Sequence, residues 1–309
     1  MNAINTATLI NILGFAIGIA LYSLLFAMVF RHRRKDSKPN LLLVLTAVLG
    51  LLWNFGEFFS FIWRDFAGNS ASSIMIAISY SALGFLPSVV VHSAENEEKH
   101  SRILTLAAYG LSVFAALLHF QLALTSGDAP SGLALQVLTF GSIALLAGLF
   151  FFNFSQKLEN KAVWITALLV FSVSAIHLGS KNESSNWFIE LIAHQSSLPL
   201  VLAILIQDYR FAFADLFLKR ALSLLLLGLT AFGLYVLVAQ PFQALHRSHE
   251  ENDALAIGVL LLLWIATALI YPFLHKFSVW LVDKILLSRI NYENLQKEIT
   301  VNHIKENKN

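Results

Sequence analysis

Apolar residues dominate long stretches of the chain, and polar residues gather in short clusters between them. A hydrocarbon layer of roughly 30 Å needs about 20 apolar residues in one helix. Nine runs suit that length: 9–30, 41–63, 73–94, 103–124, 132–154, 162–179, 187–206, 221–242 and 254–274. The connections carry helix breakers, such as Gly68-Asn69-Ser70 and Ser126-Gly127-Asp128-Ala129-Pro130. The runs are too long for transmembrane strands and show no alternation of period two. The pattern predicts an all-α polytopic membrane helix bundle of nine transmembrane helices over residues 1–274, followed by a cytoplasmic helical tail or coiled-coil linker at 275–309.

Composition agrees with this pattern. Only 13% of the 309 residues are charged and 57% are hydrophobic, whereas soluble chains carry roughly 25% charged residues. A soluble domain of this size could not bury so much apolar surface in one core. The solvent for most of this chain is therefore the lipid bilayer. The chain has no cysteine, which excludes disulfides, thiolate metal sites and cysteine nucleophiles. No basic solvated domain offers a nucleic-acid footprint.

Charge sets the orientation. Eighteen of the 21 basic residues fall on one set of alternate connections, among them Arg31, Arg33, Arg34 and Lys35. Only Arg64, Lys181 and Arg247 fall on the other. The positive-inside rule then places the N-terminus outside and the C-terminus in the cytoplasm, as for a multi-pass protein of a bacterial inner membrane. The first run is too long for a cleaved signal peptide, and its basic cluster follows rather than precedes it. None of the nine runs contains lysine, which excludes a retinal Schiff base. Gly14 and Gly18 form a GxxxG pattern expected to pack against another helix.

Ionisable side chains are costly in lipid, so each marks a functional candidate. Glu57, His119, His177, Glu190 and His194 all fall in the outer halves of their helices, while His92 lies alone at an inner end. Glu57, His119 and His194 sit roughly 8–10 Å below the outer helix ends, with His177 and Glu190 in a shallower tier. Glu190 and His194 share a helix face at a spacing of four. Pro199, one turn on, frees a backbone carbonyl near the site. Asn54, Gln121, Gln195 and Ser196 can add hydrogen bonds, and Trp53, Trp63 and Trp187 can form walls.

Three chemistries suit this set. His119 and His194, from two helices at equal depth, can ligate haem b from opposite faces, with His177 as a further candidate. Alternatively, His119, His177 and His194 with Glu57 or Glu190 can hold a zinc or copper ion. In the third case there is no cofactor, and the groups hydrogen-bond one another and stabilise the bundle. His92 reads as an interfacial histidine beside Glu95, Glu97 and Glu98. Phe211, Phe213 and Phe217 form an aromatic stretch suited to anchoring at the interface or to a quinone or partner surface. In the tail, Ile285, Tyr292 and Ile299 recur every seven residues with Leu295 between, a weak parallel coiled-coil pattern.

Three segments resemble the membrane-embedded (7TM-type) sensor regions of bacterial sensor histidine kinases, closest to acidobacterial ones. They are Gly84-Phe-Leu-Pro-Ser-Val-Val-Val-His-Ser, the stretch 190–221 beginning Glu190-Leu-Ile-Ala-His-Gln-Ser-Ser-Leu-Pro-Leu, and Val282-Asp-Lys-Ile-Leu-Leu-Ser-Arg-Ile-Asn-Tyr-Glu. The resemblance covers nearly the whole chain and implies a homodimeric sensor bundle whose coiled linker leads to kinase domains. The phosphoacceptor motif, His-Glu followed by Leu-Arg-x-Pro, is missing, as are the ATP boxes. His249-Glu250 lies in an outer loop and does not supply the motif. The chain is therefore not expected to be an enzyme. It is a sensor module with a separate kinase domain, or a related bundle recruited as a subunit of a membrane complex. The leading expectation is signal sensing through the outer His/Glu cluster, and the alternative is a haem- or quinone-binding electron-transfer subunit.

Overall fold

The computed structural model describes residues 6–32, 41–66, 71–94, 99–152, 158–179, 193–208, 211–239 and 253–286. These residues form an all-α protein with nine helices: α1 (Thr6–His32), α2 (Leu41–Phe66), α3 (Ser73–Ser93), α4 (Lys99–Thr125), α5 (Gly132–Phe152), α6 (Leu158–Gly179), α7 (Ser197–Asp208), α8 (Phe211–Leu234) and α9 (Asp253–Leu281). Among the described residues, eight helices are long and apolar enough to cross a membrane. The protein is thus a multi-pass membrane protein. Only α7, at 12 residues, falls short of spanning length.

The chain divides into two compact units, residues 1–217 and 218–309. In the first, α3 is the hub, packing against α2, α4, α5, α6 and α7, while α1 packs on α2. Of the residues in its apolar stretch, 72% are buried, against 28–50% for the other long helices of this unit. A helix surrounded by helices can carry hydroxyls only where they find partners, and α3 follows that rule. The Ser112 hydroxyl donates to the Gly84 carbonyl at 2.7 Å. Ser88 lies 2.6 Å from Ser112 and 2.7 Å from the Ala108 carbonyl. These contacts lock α3 to α4 at mid-membrane depth.

Small residues bring α1, α2 and α3 close together. Gly14 and Gly18 are both buried, and a Cβ at Gly18 would collide with the Asn54 amide. The GxxxG face of α1 therefore packs on α2. A Cβ at Gly50 would collide with the Tyr22 ring, and one at Gly56 with the Ser79 hydroxyl. On the opposite surface, Leu106, Leu124, Phe140 and Phe151 expose 71–72% of their area, as side chains solvated by lipid do.

In the second unit the helices run longer than their apolar cores. Helix α8 begins at Phe211 and α9 continues through Pro272 to Leu281, ending in a π-helical turn at Val282–Leu286. Lys219, Lys276 and Lys284 consequently lie in these elements, so the absence of lysine holds for the apolar runs but not for the helices. The polar groups near this end are paired. Lys219 bridges Asp283 at 2.7 Å, Arg220 donates to the Tyr271 hydroxyl at 3.3 Å, and Ser223 meets His275 Nδ1 at 2.9 Å. His275, in the stretch expected to form the cytoplasmic tail, is thus a helix-to-helix contact. Phe217, in the first unit, is only 2% exposed, so this member of the aromatic stretch is a core residue rather than an interfacial anchor. The coiled-coil positions beyond Leu286 lie outside the described residues.

Candidate functional site

The site is built where the sequence interrupts a helix. Ala193 and His194 are helical, Gln195 and Ser196 form a turn, and α7 starts at Ser197. Two tight i→i+3 bonds carry the chain through this break, from Ser196 N–H to the Ala193 carbonyl at 3.3 Å and from Leu198 N–H to the Gln195 carbonyl at 3.0 Å. Pro199 falls in the first turn of α7, where its missing N–H costs little. The break diverts the His194 carbonyl from the helix ladder, and the Trp53 indole N–H takes it at 3.1 Å. The carbonyl that Pro199 cannot meet is that of Gln195, four residues back, and the Leu198 N–H takes it instead.

His194 is 7% exposed, with its ring edge-on to Phe15 and Phe61 at centroid distances of 5.3 and 5.8 Å. It shares a cavity of about 430 Å³ with Glu57, at the end of the bundle that the charge bias assigns to the outside. Ser60, Phe61 and Arg64 of α2, Ile76 and Tyr80 of α3, and residues 127–130 of the α4–α5 connection complete its wall. The connection is held over the site by the Ser73 hydroxyl, which donates to the Gly127 carbonyl. Gly127 has φ +72°, in the left-handed region that glycine adopts without steric cost.

Glu57 is 5% exposed, and its Oε1 has no hydrogen-bond partner among the described residues. Arg64, two turns outward on the same helix, acts on it electrostatically. The Arg64 guanidinium lies 4.6 Å from the centroid of the Phe61 ring. The cavity thus has a buried carboxylate in its wall, aromatic sides, and a guanidinium and the Asp128 carboxylate near its mouth.

Of the five residues singled out in sequence, the structure brings Glu57 and His194 to one cavity. His119 is fully buried outside its lining. Its Nδ1 accepts the Ser131 N–H at 3.1 Å, which leaves the ring proton on Nε2, where it has no partner among the described residues. His177 is half-buried near the end of α6, away from the cavity wall. Glu190 and Trp187 lie outside the described residues. His92 is bonded through Nδ1 to the Tyr109 hydroxyl at 3.1 Å and has a structural role; its neighbours Glu95, Glu97 and Glu98 are not described. Gln121 is exposed, whereas the Gln195 amide is buried without a hydrogen-bond partner among the described residues.

The fit of a metal or haem can be tested on these contacts. Among the described residues, no three His, Asp or Glu side chains converge as a ligand set. His119 and His194 are connected by a relay of touching rings: Tyr80 on His119 at 5.8 Å, Trp53 on Tyr80 at 5.1 Å, Phe15 on Trp53 at 6.0 Å, and then His194. A macrocycle held between the two imidazoles would have to part these rings, so this packing does not fit a haem shared by the pair.

Arg64, Asp128 and Tyr80 were not singled out in sequence. Arg64 had a visible signal, because seven residues from Glu57 is two helical turns on one face. Asp128 had none, since its connection reads only as a helix breaker. Comparison with protein-family models, with curated proteins and with solved structures gives no match.

Proposed function

We propose that the chain is a membrane-embedded ligand-sensing module whose receptor site is the outer cavity at Glu57 and His194. One observation carries the reading: a carboxyl oxygen, Glu57 Oε1, buried without a hydrogen bond among the described residues in the wall of a cavity large enough for a small organic molecule. Burying such an acceptor unmet costs about 1–3 kcal/mol, which a ligand donor would recover. The cavity also abuts the break before α7, where the Trp53 indole holds the His194 carbonyl, and a helix break is an element that can take up a second packing. A ligand that prefers one packing shifts the balance. The resemblance to sensor regions of histidine kinases supports the same reading, with the cytoplasmic tail as output across a dimer.

The test is a thermal-shift screen of small organic compounds on the purified chain, repeated with Ala71→Trp, which puts an indole at a residue that lines the cavity. Compounds that stabilise the native chain but not the variant support the reading. A screen in which no compound distinguishes the two proteins contradicts it. A second reading, a haem- or quinone-binding subunit of an electron-transfer complex, draws on the Nε2 of His119, which meets no hydrogen-bond partner among the described residues. Oxidised and dithionite-reduced absorption spectra with metal analysis test it, since a Soret band with sharp bands on reduction would favour it.

A further inference from the structure

The charges around the cavity are unbalanced. Glu57 and Asp128 contribute two carboxyl groups and Arg64 one guanidinium, so acidic groups outnumber basic ones in the lining. A concave, low-dielectric wall that can take up negative charge favours a cationic ligand over an anionic one. A bare metal ion is a poor match, because no three ligating side chains converge among the described residues and about 430 Å³ far exceeds one ion.

We propose that the ligand is a primary organic monoamine with an apolar, preferably aromatic, body. This rests on the reading of the cavity as a ligand site. The ammonium supplies N–H donors to the unmet Oε1 of Glu57, and a charged donor makes that bond stronger than a hydroxyl would. Phe61, Ile76 and Tyr80 give the body an apolar bed, and an aromatic face near the ammonium adds cation–π attraction. A quaternary ammonium has no N–H to give Glu57. Arg64 near the mouth repels a second positive charge, which selects a monoamine over a diamine.

The experiment is calorimetric titration of the full chain in detergent with three probes of nearly one shape: phenethylammonium, 2-phenylethanol and phenylacetate. Phenethylammonium is expected to bind roughly 10-fold or more tightly than the alcohol, the acid being weakest, as a charge-assisted bond requires. Glu57→Gln should remove that preference, and Ala71→Trp should abolish binding of all probes. If Glu57→Gln does not fold, Asp128→Asn on the exposed connection carries the charge test and should weaken binding of the amine alone. Equal binding of alcohol and amine, or a preference that survives Glu57→Gln, overturns the amine assignment and leaves the ligand site standing. Failure of all three probes overturns the assignment too. Only if the broader screen is also empty does the ligand-site reading fall with it.

Discussion

The indole N–H of Trp53 donates to the backbone carbonyl of His194 at 3.1 Å, joining residues 141 apart in sequence. Both are buried. The bond joins α2 to the segment before α7 at the helix break. It also sets the backbone beneath the cavity.

Trp53→Phe keeps an aromatic ring in place and removes the donor. The variant is expected to lose about 0.5–1.5 kcal/mol, the net worth of one hydrogen bond. Thermal unfolding in detergent measures it. Unchanged stability would mean that the junction is held by packing alone.

Two glycines make a matched comparison of close approach. Gly50→Ala drives a methyl into the Tyr22 ring, whereas a Cβ at Gly110 meets nothing within 4 Å. The first substitution should destabilise by about 1–3 kcal/mol through overpacking. The second should be neutral or stabilise by up to about 1 kcal/mol through helix propensity. Equal effects in chemical denaturation would contradict the packing of α1 on α2.

The hydroxyl pair between α3 and α4 can be apportioned by a double-mutant cycle. Ser88→Ala and Ser112→Ala should couple by about 0.6–1.7 kcal/mol, the range found for hydrogen bonds between membrane helices. A coupling near zero would mean that each hydroxyl serves only the carbonyl it faces.

Much of this architecture is legible in the amino-acid pattern, because lipid imposes one requirement on every spanning helix. The ends of α2, α4 and α5 fall within a few residues of the apolar runs for that reason. The seventh run is different. Apolar length alone suggests one helix over 187–206, but Gln195 and Ser196 form a turn, set by hydrogen bonds that hydropathy does not register. The site shows the same division. Glu57 and His194 stand out because polar groups in lipid are costly. Their separation from His119 depends on which way each helix is rotated, and the packing of Trp53 and Tyr80 decides that. The basic residues Lys219 and Arg220, read as a connection, lie in a helix because partners on α9 meet their polar groups.

Sidedness follows from charge alone and can be measured independently. The chain has no native cysteine, so single cysteines introduced at Asp128 and at Lys99, beyond opposite ends of the span in α4, report without background. In right-side-out vesicles, a membrane-impermeant maleimide should label the first and spare the second until the membrane is opened. The reverse pattern would invert the bundle.

The central claim is that Glu57 faces a cavity reached from the outside. Ser60→Cys, one turn from Glu57 in the same wall, tests it most directly. With the impermeant maleimide outside right-side-out vesicles, this cysteine should react, and adding Ala71→Trp, which fills space in the same cavity, should suppress the reaction. A Ser60→Cys chain that stays unlabelled until the membrane is opened would contradict an outward-facing site.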